Sequence, residues 1–173
     1  MGEGTRTLER ARPRILLSLG GGGYGHQAKL LAVHLAPYAD LMYITTAGAR
    51  QPGRHGVPDG PCLVVPHSRG VTRGTRFTTA LAVLVVLAKA PLFLARHRPD
   101  CVVGVAMPTS LVLLFVARLM GVRTVFVESL TRVRTPSVTL RWCRRLRLAE
   151  HLLVQWPSLV ASVPGTRYEG RVF

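Results

Sequence analysis

The sequence is poor in acidic residues, in lysine and in aromatic residues. It has 8 Asp and Glu against 23 Lys and Arg, and only two of those 23 are lysine, Lys29 and Lys89. Aromatic residues make up 6% of the 173 residues and charged residues only 18%. Soluble domains usually carry about 25% charged residues, whereas disordered chains carry high net charge and few apolar residues. The composition therefore excludes a disordered chain and is unusual for a soluble domain.

Several patterns that mark known chemistries are also missing. The sequence has no HExxH, no GxSxG and no GK[ST] after its glycine run. Its three cysteines, Cys62, Cys101 and Cys143, are scattered in apolar stretches without a CxxC spacing. These absences argue against a metal site, a serine hydrolase and a Walker-type nucleotide site. The cysteines are expected to be reduced core residues, which is consistent with a cytosolic compartment.

The chain is at once cationic and apolar. Its formal net charge is +15, and 48% of its residues are hydrophobic. Nucleic acid would explain the positive charge but not so much aliphatic surface. An anionic membrane surface would explain both, so we expect a membrane-surface partner and no nucleic acid.

One apolar window is a candidate membrane contact. Residues 80–95 are almost entirely apolar, but Lys89 and Pro91 interrupt them, and a span needs roughly 20 apolar residues. We therefore expect a membrane-associated helix at 77–97 that is peripheral or re-entrant and not spanning, with a buried core helix as the alternative. Residues 1–13 are a polar leader without the apolar core of a signal peptide, which predicts the cytoplasmic face of the membrane.

From residue 14 onward, short apolar runs alternate with segments of helical spacing. Such runs are typical of buried parallel strands. The alternation predicts an α/β fold, a doubly wound, Rossmann-like parallel sheet that forms a single domain over 14–173. After the last strand we expect only an irregular tail. The expected strands are 14–19, 41–46, 62–66, 100–105, 123–128 and 151–155, and the expected helices are 26–36, 77–97, 108–120 and 137–149.

A glycine run follows the first strand directly, and His26 stands where the next helix is expected to begin. Glycine lets the backbone approach an anion, and a helix N-terminus offers free N–H groups. His26 is either a solvent-exposed helix cap or a group that contacts an acceptor hydroxyl or a diphosphate. The candidate acceptor- or phosphate-binding residues in the run are Gly22, Gly23, Tyr24 and Gly25.

A nicotinamide dinucleotide is weakly supported. Such an enzyme carries an acidic residue at the end of its second strand to bind the ribose hydroxyls. Thr45 and Thr46 occupy that position, and Asp40 precedes the strand. An NAD(P)-binding protein is kept as an alternative, and no tightly bound cofactor is expected.

Polar residues also follow two later strands. Glu128 is a general base, a sugar-hydroxyl acceptor or a partner of an arginine that fixes the loop, and Ser129 and Arg132 lie beside it. Gly104 and Thr109 either direct backbone amides toward the same edge or form a simple strand-to-helix turn. Because ligands of open α/β sheets bind at the carboxyl ends of strands, we expect these loops and the glycine run to converge on one site.

Basic residues are concentrated in the loop 69–76 and in the segment 137–149. In that segment Val138, Trp142 and Leu146 share one helical face, while arginines cluster on another. The segment is an ordinary amphipathic helix, or it contacts lipid phosphates or a partner chain.

Four sequence patterns together resemble a known family. They are the glycine run with His26, a PD-x-x-x-G pattern at 99–104, F-x-E-S at 126–129 and V-Q-W-P at 154–157. In order and spacing they are similar to the oligosaccharide-biosynthesis family that includes the membrane-anchoring subunit of the eukaryotic dolichyl-diphosphate UDP-GlcNAc transferase. Its bacterial relatives are exopolysaccharide subunits of the PssD/CpsF type.

The resemblance implies the N-terminal, acceptor-side half of a GT-B glycosyltransferase, active only with a partner chain. That small partner would supply the C-terminal half and bind most of the UDP-sugar donor. The acceptor would be a polyprenyl- or lipid-diphosphate-linked sugar. His26 and Glu128 are then the candidate catalytic residues. Gln155, Trp156 and Pro157 would mark the end of the domain or the partner interface. The rival interpretation is a non-catalytic membrane scaffold that recruits the catalytic subunit.

Overall fold

The computed structural model describes residues 12–66 and 76–172, and it confirms the Rossmann-like parallel sheet. Every strand pairing in it is parallel. The strands are β1 Arg14–Leu19, β2 Asp40–Thr46, β3 Cys62–Val65, β4 Cys101–Val105, β5 Arg123–Val127, β6 His151–Val154 and β7 Thr166–Tyr168. The helices are α1 Gly22–Leu35, α2 Arg76–His97, α3 Pro108–Leu119, α4 Val138–Arg145 and α5 Pro157–Ser162.

The seven strands lie in the order β3-β2-β1-β4-β5-β6-β7. Parallel crossovers are right-handed, so α1 covers one face of the sheet and α2 to α5 cover the other. Contacts between α2 and α3 and between α3 and α4 agree with this arrangement. The carboxyl ends of all seven strands therefore meet at one edge, next to the start of α1.

α2 is one continuous helix of 22 residues that runs through Pro91, in agreement with the helix expected at 77–97. Its core contact is a stripe of small and aliphatic residues at a spacing of four, namely Ala82, Val86, Ala90 and Leu94. The stretch Ala80–His97 is long and apolar enough to cross a membrane by length and composition alone, and 22% of it is buried.

α1 begins four residues earlier than its sequence pattern predicts, inside the glycine run. Gly22 begins the helix with a positive φ of 60°. A side chain at Gly25 would collide with the backbone carbonyl of Gly20. The glycines therefore let the first turn lie directly against the end of β1, and His26 sits in the second turn and not at the start of the helix.

The C-terminal part of the chain also differs from the sequence-based expectation. α4 ends at Arg145, and the irregular tail expected after β6 instead forms α5 and β7. The stripe of Val138, Trp142 and Leu146 on α4 is exposed, because the helix buries a different face. The basic loop 69–76 lies outside the described residues except for Arg76, which begins α2, as does most of the leader 1–13.

Candidate functional site

An open, largely apolar pocket of about 410 Å³ lies between α1 and the loop that follows β5. It is at the carboxyl edge of the sheet, where open α/β folds bind their ligands. The lining residues are Gly23, Tyr24, His26, Gln27, Leu30, Ser129, Leu130, Thr131, Gln155 and Val172. The structure thus brings the glycine run, His26 and Ser129 together, as the sequence predicts.

His26 is the exposed imidazole of this pocket. It projects from the second turn of α1, while Gly25 and Gln27 on either side of it are buried. Tyr24, half-buried, lines the pocket two residues closer to the N-terminus of the helix. An imidazole in this place is accessible to a ligand hydroxyl and can accept its proton.

The opposite wall of the pocket is the loop 129–133, which side chains hold from several directions. The Gln27 and Gln155 side-chain amides both donate to the Glu128 carbonyl oxygen, at 2.9 Å and 2.8 Å. The Gln27 Oε1 atom accepts from the Leu130 N–H at 3.1 Å, and the Trp156 indole N–H donates to the Leu130 carbonyl at 2.6 Å. The loop therefore has a defined shape, because its backbone polar groups are bonded to side chains of α1 and of the segment after β6.

The Glu128 side chain is fully buried beneath this loop. Its Oε1 atom accepts from the Ser129 N–H at 2.7 Å, and its Oε2 atom accepts from the Ser137 N–H at 2.8 Å. It forms no ion pair with an arginine within the described part of the chain. One carboxylate oxygen thus binds the backbone at the start of the loop 129–133 and the other binds it at Ser137, just before α4, and the carboxylate does not face the open pocket.

Two predicted site residues lie apart from the pocket. Gly104 is buried inside β4, where an added Cβ would stand 2.9 Å from Leu114 Cδ1 and 3.1 Å from Ser110 Cβ. Gly104 is therefore a packing glycine that admits α3, and it does not line the pocket. Thr109 lines a separate gap of about 10 Å³ beside Thr45, so the third loop does not converge on the same site.

That gap lies where a dinucleotide would bind, between the ends of β1 and the neighbouring strands. Met107 contributes to it, and a side chain at Gly20 would collide with the Met107 sulfur. Met107 therefore packs against Gly20 and fills much of the space at this gap.

The Q-W-P residues do not end the domain. Gln155 is 2% exposed and belongs to the pocket wall. Trp156 is half-buried against the loop, and Pro157 is the first residue of α5. Arg132 is half-buried, and its backbone N–H donates to the Ser129 carbonyl at 3.0 Å.

Sequence reasoning missed two polar residues near the pocket. Gln27 lies next to the apolar positions Ala28 and Leu31 of the expected helix and was not singled out. A polar residue between His26 and that apolar face is the sequence signal that could have identified it. Arg50 lies in the long loop after β2, and its guanidinium donates to the Gly22 carbonyl at 3.3 Å. It places a cation beside the first turn of α1, close to the backbone amides of the glycine run.

The cysteines have no role in this chemistry. Burial raises the pKa of Cys62 to about 11 and that of Cys143 to about 12, and it also raises the pKa of Cys101. All three thiols stay protonated at neutral pH and are poor nucleophiles. No group of three or more His, Cys, Asp or Glu side chains gathers within residues 12–66 and 76–172.

Solved structures with a similar fold include MurG, a UDP-N-acetylglucosamine 2-epimerase and a UDP-glucosyltransferase. MurG from Acinetobacter baumannii has a TM-score of 0.62 at 15% identity, and the match covers 92% of this chain and 44% of that one. The UDP-N-acetylglucosamine 2-epimerase from Rickettsia bellii has a TM-score of 0.62 at 12% identity, covering 93% and 45%. A UDP-glucosyltransferase from Polygonum tinctorium has a TM-score of 0.60 at 13% identity, covering 91% and 51%.

These matches show that the fold is one Rossmann-like half of a GT-B architecture, because the chain spans about half the length of each similar structure. No curated protein sequence matches the chain. The family model described as oligosaccharide biosynthesis protein Alg14 like matches residues 39–172, which is most of the chain and confirms the resemblance inferred from its motifs. The chain therefore belongs to the Alg14-like family of oligosaccharide biosynthesis proteins.

Proposed function

We propose that the chain is the acceptor-side, membrane-associated subunit of a heteromeric UDP-sugar glycosyltransferase, similar to a UDP-GlcNAc transferase. The pocket under His26 is the observation that carries the proposal. It is open, lies at the carboxyl edge of the sheet, and belongs to a domain with half the length of similar sugar-nucleotide enzymes. The acceptor is a sugar linked through a diphosphate to a polyprenyl or other lipid.

In the proposed reaction an acceptor hydroxyl attacks the anomeric carbon of the donor sugar from the face opposite UDP. The bond from that carbon to the UDP oxygen breaks, and the configuration inverts. The hydroxyl proton passes to the His26 imidazole, which is exposed at the pocket. Glu128 acts as a positioning residue, because its carboxylate is occupied by two backbone amides.

The acceptor diphosphate is proposed to bind at the first turn of α1. Gly22 and Gly23 are exposed there, and a helix N-terminus attracts anions. The Arg50 guanidinium is bonded to the Gly22 carbonyl and adds positive charge at the same place. Arg132 lies beside the opposite wall and is a second candidate cation.

The partner chain is proposed to bring the second half of the enzyme and most of the UDP-sugar site. The support is the length comparison, since similar structures are about twice as long as this chain. Thr45 and Thr46 end β2 where a dinucleotide-binding domain carries an acidic residue, which counts against the NAD(P)-binding alternative.

The membrane contact is proposed to be the face formed by α2 and α4. On α2 the exposed leucines include Leu84 at 62% and Leu92 at 73% exposure. On α4 the exposed apolar stripe carries Trp142, and the exposed arginines around it are Arg141, Arg144, Arg145 and Arg147. Both helices lie on the face of the sheet away from α1. Apolar side chains next to arginines bind anionic headgroups, and each arginine near such a surface contributes about 1 kcal/mol.

The test of this function is sugar transfer by a complex with a donor-half chain from the same genome. The complex is incubated with radiolabelled UDP-GlcNAc and farnesyl-diphosphate-linked GlcNAc, and the labelled product is counted. His26→Ala is expected to lower kcat by about 100-fold or more, the usual effect of removing a general base. His34→Ala is the matched control, because His34 is exposed on the same helix but does not line the pocket.

The outcomes separate the rival functions. If His26→Ala still recruits the donor half and transfers sugar at the wild-type rate, the chain is a non-catalytic scaffold and the acceptor assignment is refuted. If the wild-type complex transfers sugar and only His26→Ala loses activity, the assignment stands.

A further inference from the structure

Gln155 joins two parts of the pocket wall that are otherwise far apart in the chain. Its Nε2 atom donates to the Glu128 carbonyl at 2.8 Å, where the loop 129–133 begins. Its Oε1 atom accepts from the Val172 N–H at 3.1 Å. The side chain is 2% exposed, so both ends of the amide are engaged in a nearly dry environment. A buried amide with both ends bonded is held in one orientation.

The other end of this bridge is the segment 169–172, which follows β7. Val172 lines the acceptor pocket together with Gln155, and both also line a second cavity of about 280 Å³ on the far side of the segment. The Arg171 guanidinium stacks over the Trp156 ring at 3.9 Å, and the Trp156 indole N–H is bonded to the Leu130 carbonyl. The segment 169–172 therefore contacts both residues that hold the loop from this side.

We propose that Gln155 is a positioning residue through which the segment 169–172 sets the shape of the loop 129–133. When the segment is in place, the Val172 N–H orients the Gln155 amide so that its NH₂ group meets the Glu128 carbonyl. When the segment moves away, the Gln155 Oε1 atom loses the N–H group that donates to it, and the amide is no longer held in one orientation. The Glu128 carbonyl is then bonded mainly to the Gln27 amide.

The bond geometry is independent of any ligand, but its consequence for acceptor binding rests on the proposed function. The first experiment therefore needs no ligand. Amide hydrogen exchange is measured in peptides covering 129–133 for Val172→Pro and Val172→Ala. Proline keeps an apolar side chain and removes the N–H group, but it also fixes φ, so Gln155→Leu, which leaves the backbone unchanged, is measured beside it. Alanine keeps the N–H and removes the bulk.

Val172→Pro is expected to speed exchange in the loop about fivefold, the effect of one lost hydrogen bond. Val172→Ala is expected to leave exchange within about twofold of wild type. Gln155→Leu, which also removes the bond to the Glu128 carbonyl, should speed exchange at least as much as Val172→Pro. The double variant Gln155→Leu with Val172→Pro should exchange no faster than Gln155→Leu alone, because both changes cut one bridge. Equal exchange in Val172→Pro and wild type, or additive effects in the double variant, overturns the proposal.

The second experiment measures acceptor binding through the fluorescence of Trp156. Trp142→Phe leaves Trp156 as the single tryptophan of the chain, and farnesyl-diphosphate-linked GlcNAc is titrated in detergent micelles. Val172→Pro in this background is expected to raise Kd about fivefold and Val172→Ala less than that. If the parent does not bind the probe while the exchange result holds, the acceptor assignment fails and the positioning role of Gln155 stands. If the parent binds and Val172→Pro binds equally well, the positioning role in the pocket is refuted.

Discussion

Replacing Glu128 by glutamine tests whether its carboxylate braces the loop or performs chemistry. Glu128 is fully buried, and its two oxygens accept from the Ser129 and Ser137 N–H groups at 2.7 Å and 2.8 Å. Glutamine has nearly the same shape, but its NH₂ group must face one of these two donors. One hydrogen bond to a charged acceptor is then lost, and one buried N–H is left without a partner.

The magnitude follows from these two losses. A hydrogen bond to a charged group contributes about 1.5–3 kcal/mol, and a buried donor without a partner costs about 1–3 kcal/mol. Removing a buried charge offsets part of this. We expect Glu128→Gln to lower the free energy of unfolding by about 2–4 kcal/mol, which corresponds to a fall in Tm of roughly 4–16 °C for a chain of this size.

The assay is urea unfolding followed by circular dichroism, with Glu150→Gln as the control. Glu150 pairs with Arg118 at 3.4 Å, and both side chains are substantially exposed, so its loss should cost under about 1 kcal/mol. A Glu128→Gln variant as stable as the control would refute the bracing role. If such a variant also loses sugar transfer, the carboxylate is catalytic after all.

Three further predictions concern packing, the membrane and pH. Gly25→Ala should lower the free energy of unfolding by about 1–3 kcal/mol through overpacking against the end of β1, whereas Gly23→Ala, with open space around it, should be neutral or stabilising; equal stabilities in chemical denaturation would contradict this. Leu84→Glu should reduce flotation of the chain with anionic vesicles at low salt, while Val33→Glu on the α1 face should not, and equal flotation would exclude α2 as the contact. Burial raises the pKa of Cys143 to about 12, so the folded chain keeps a proton that the unfolded chain releases near its ordinary pKa. Stability should therefore fall as pH rises from about 9 to 12, and Cys143→Val should weaken that fall in Tm measured across this range.

Most of the fold was predictable because it depends on local pattern. A parallel sheet covered by helices buries both faces, so its strands appear in the sequence as continuous apolar runs such as 14–19 and 123–128. The structure confirms these two strands at β1 and β5. The errors have local causes. The glycine run looked like a loop, yet Gly22 begins α1 because the helix must start close to β1. The fourth helix was expected to continue to residue 149, yet α4 ends at Arg145.

The candidate site was predictable only in part. His26 and Ser129 were expected at one edge of the sheet, and both line the pocket. Gly104 was expected there too, but the side chains of α3 already pack against it. No sequence pattern reveals that Gln27 and Gln155, 128 positions apart by number, donate to the same carbonyl. Such a contact depends on where α1 and the end of β6 meet in space.

The sequence by itself determined the fold class, the family and the positive, apolar character of the chain. Each of these follows from composition, from the hydrophobic period or from short motifs. These signals depend only on residues close together in the chain and need no long-range contact. The tertiary structure alone decided the role of each polar residue. Packing buries Glu128 and gives its carboxylate two backbone N–H donors, so this residue stabilises the loop. Packing leaves the His26 imidazole exposed at the pocket. Burial and hydrogen-bond partners are set by elements far apart in sequence, so they are fixed only when the sheet and its helices have assembled.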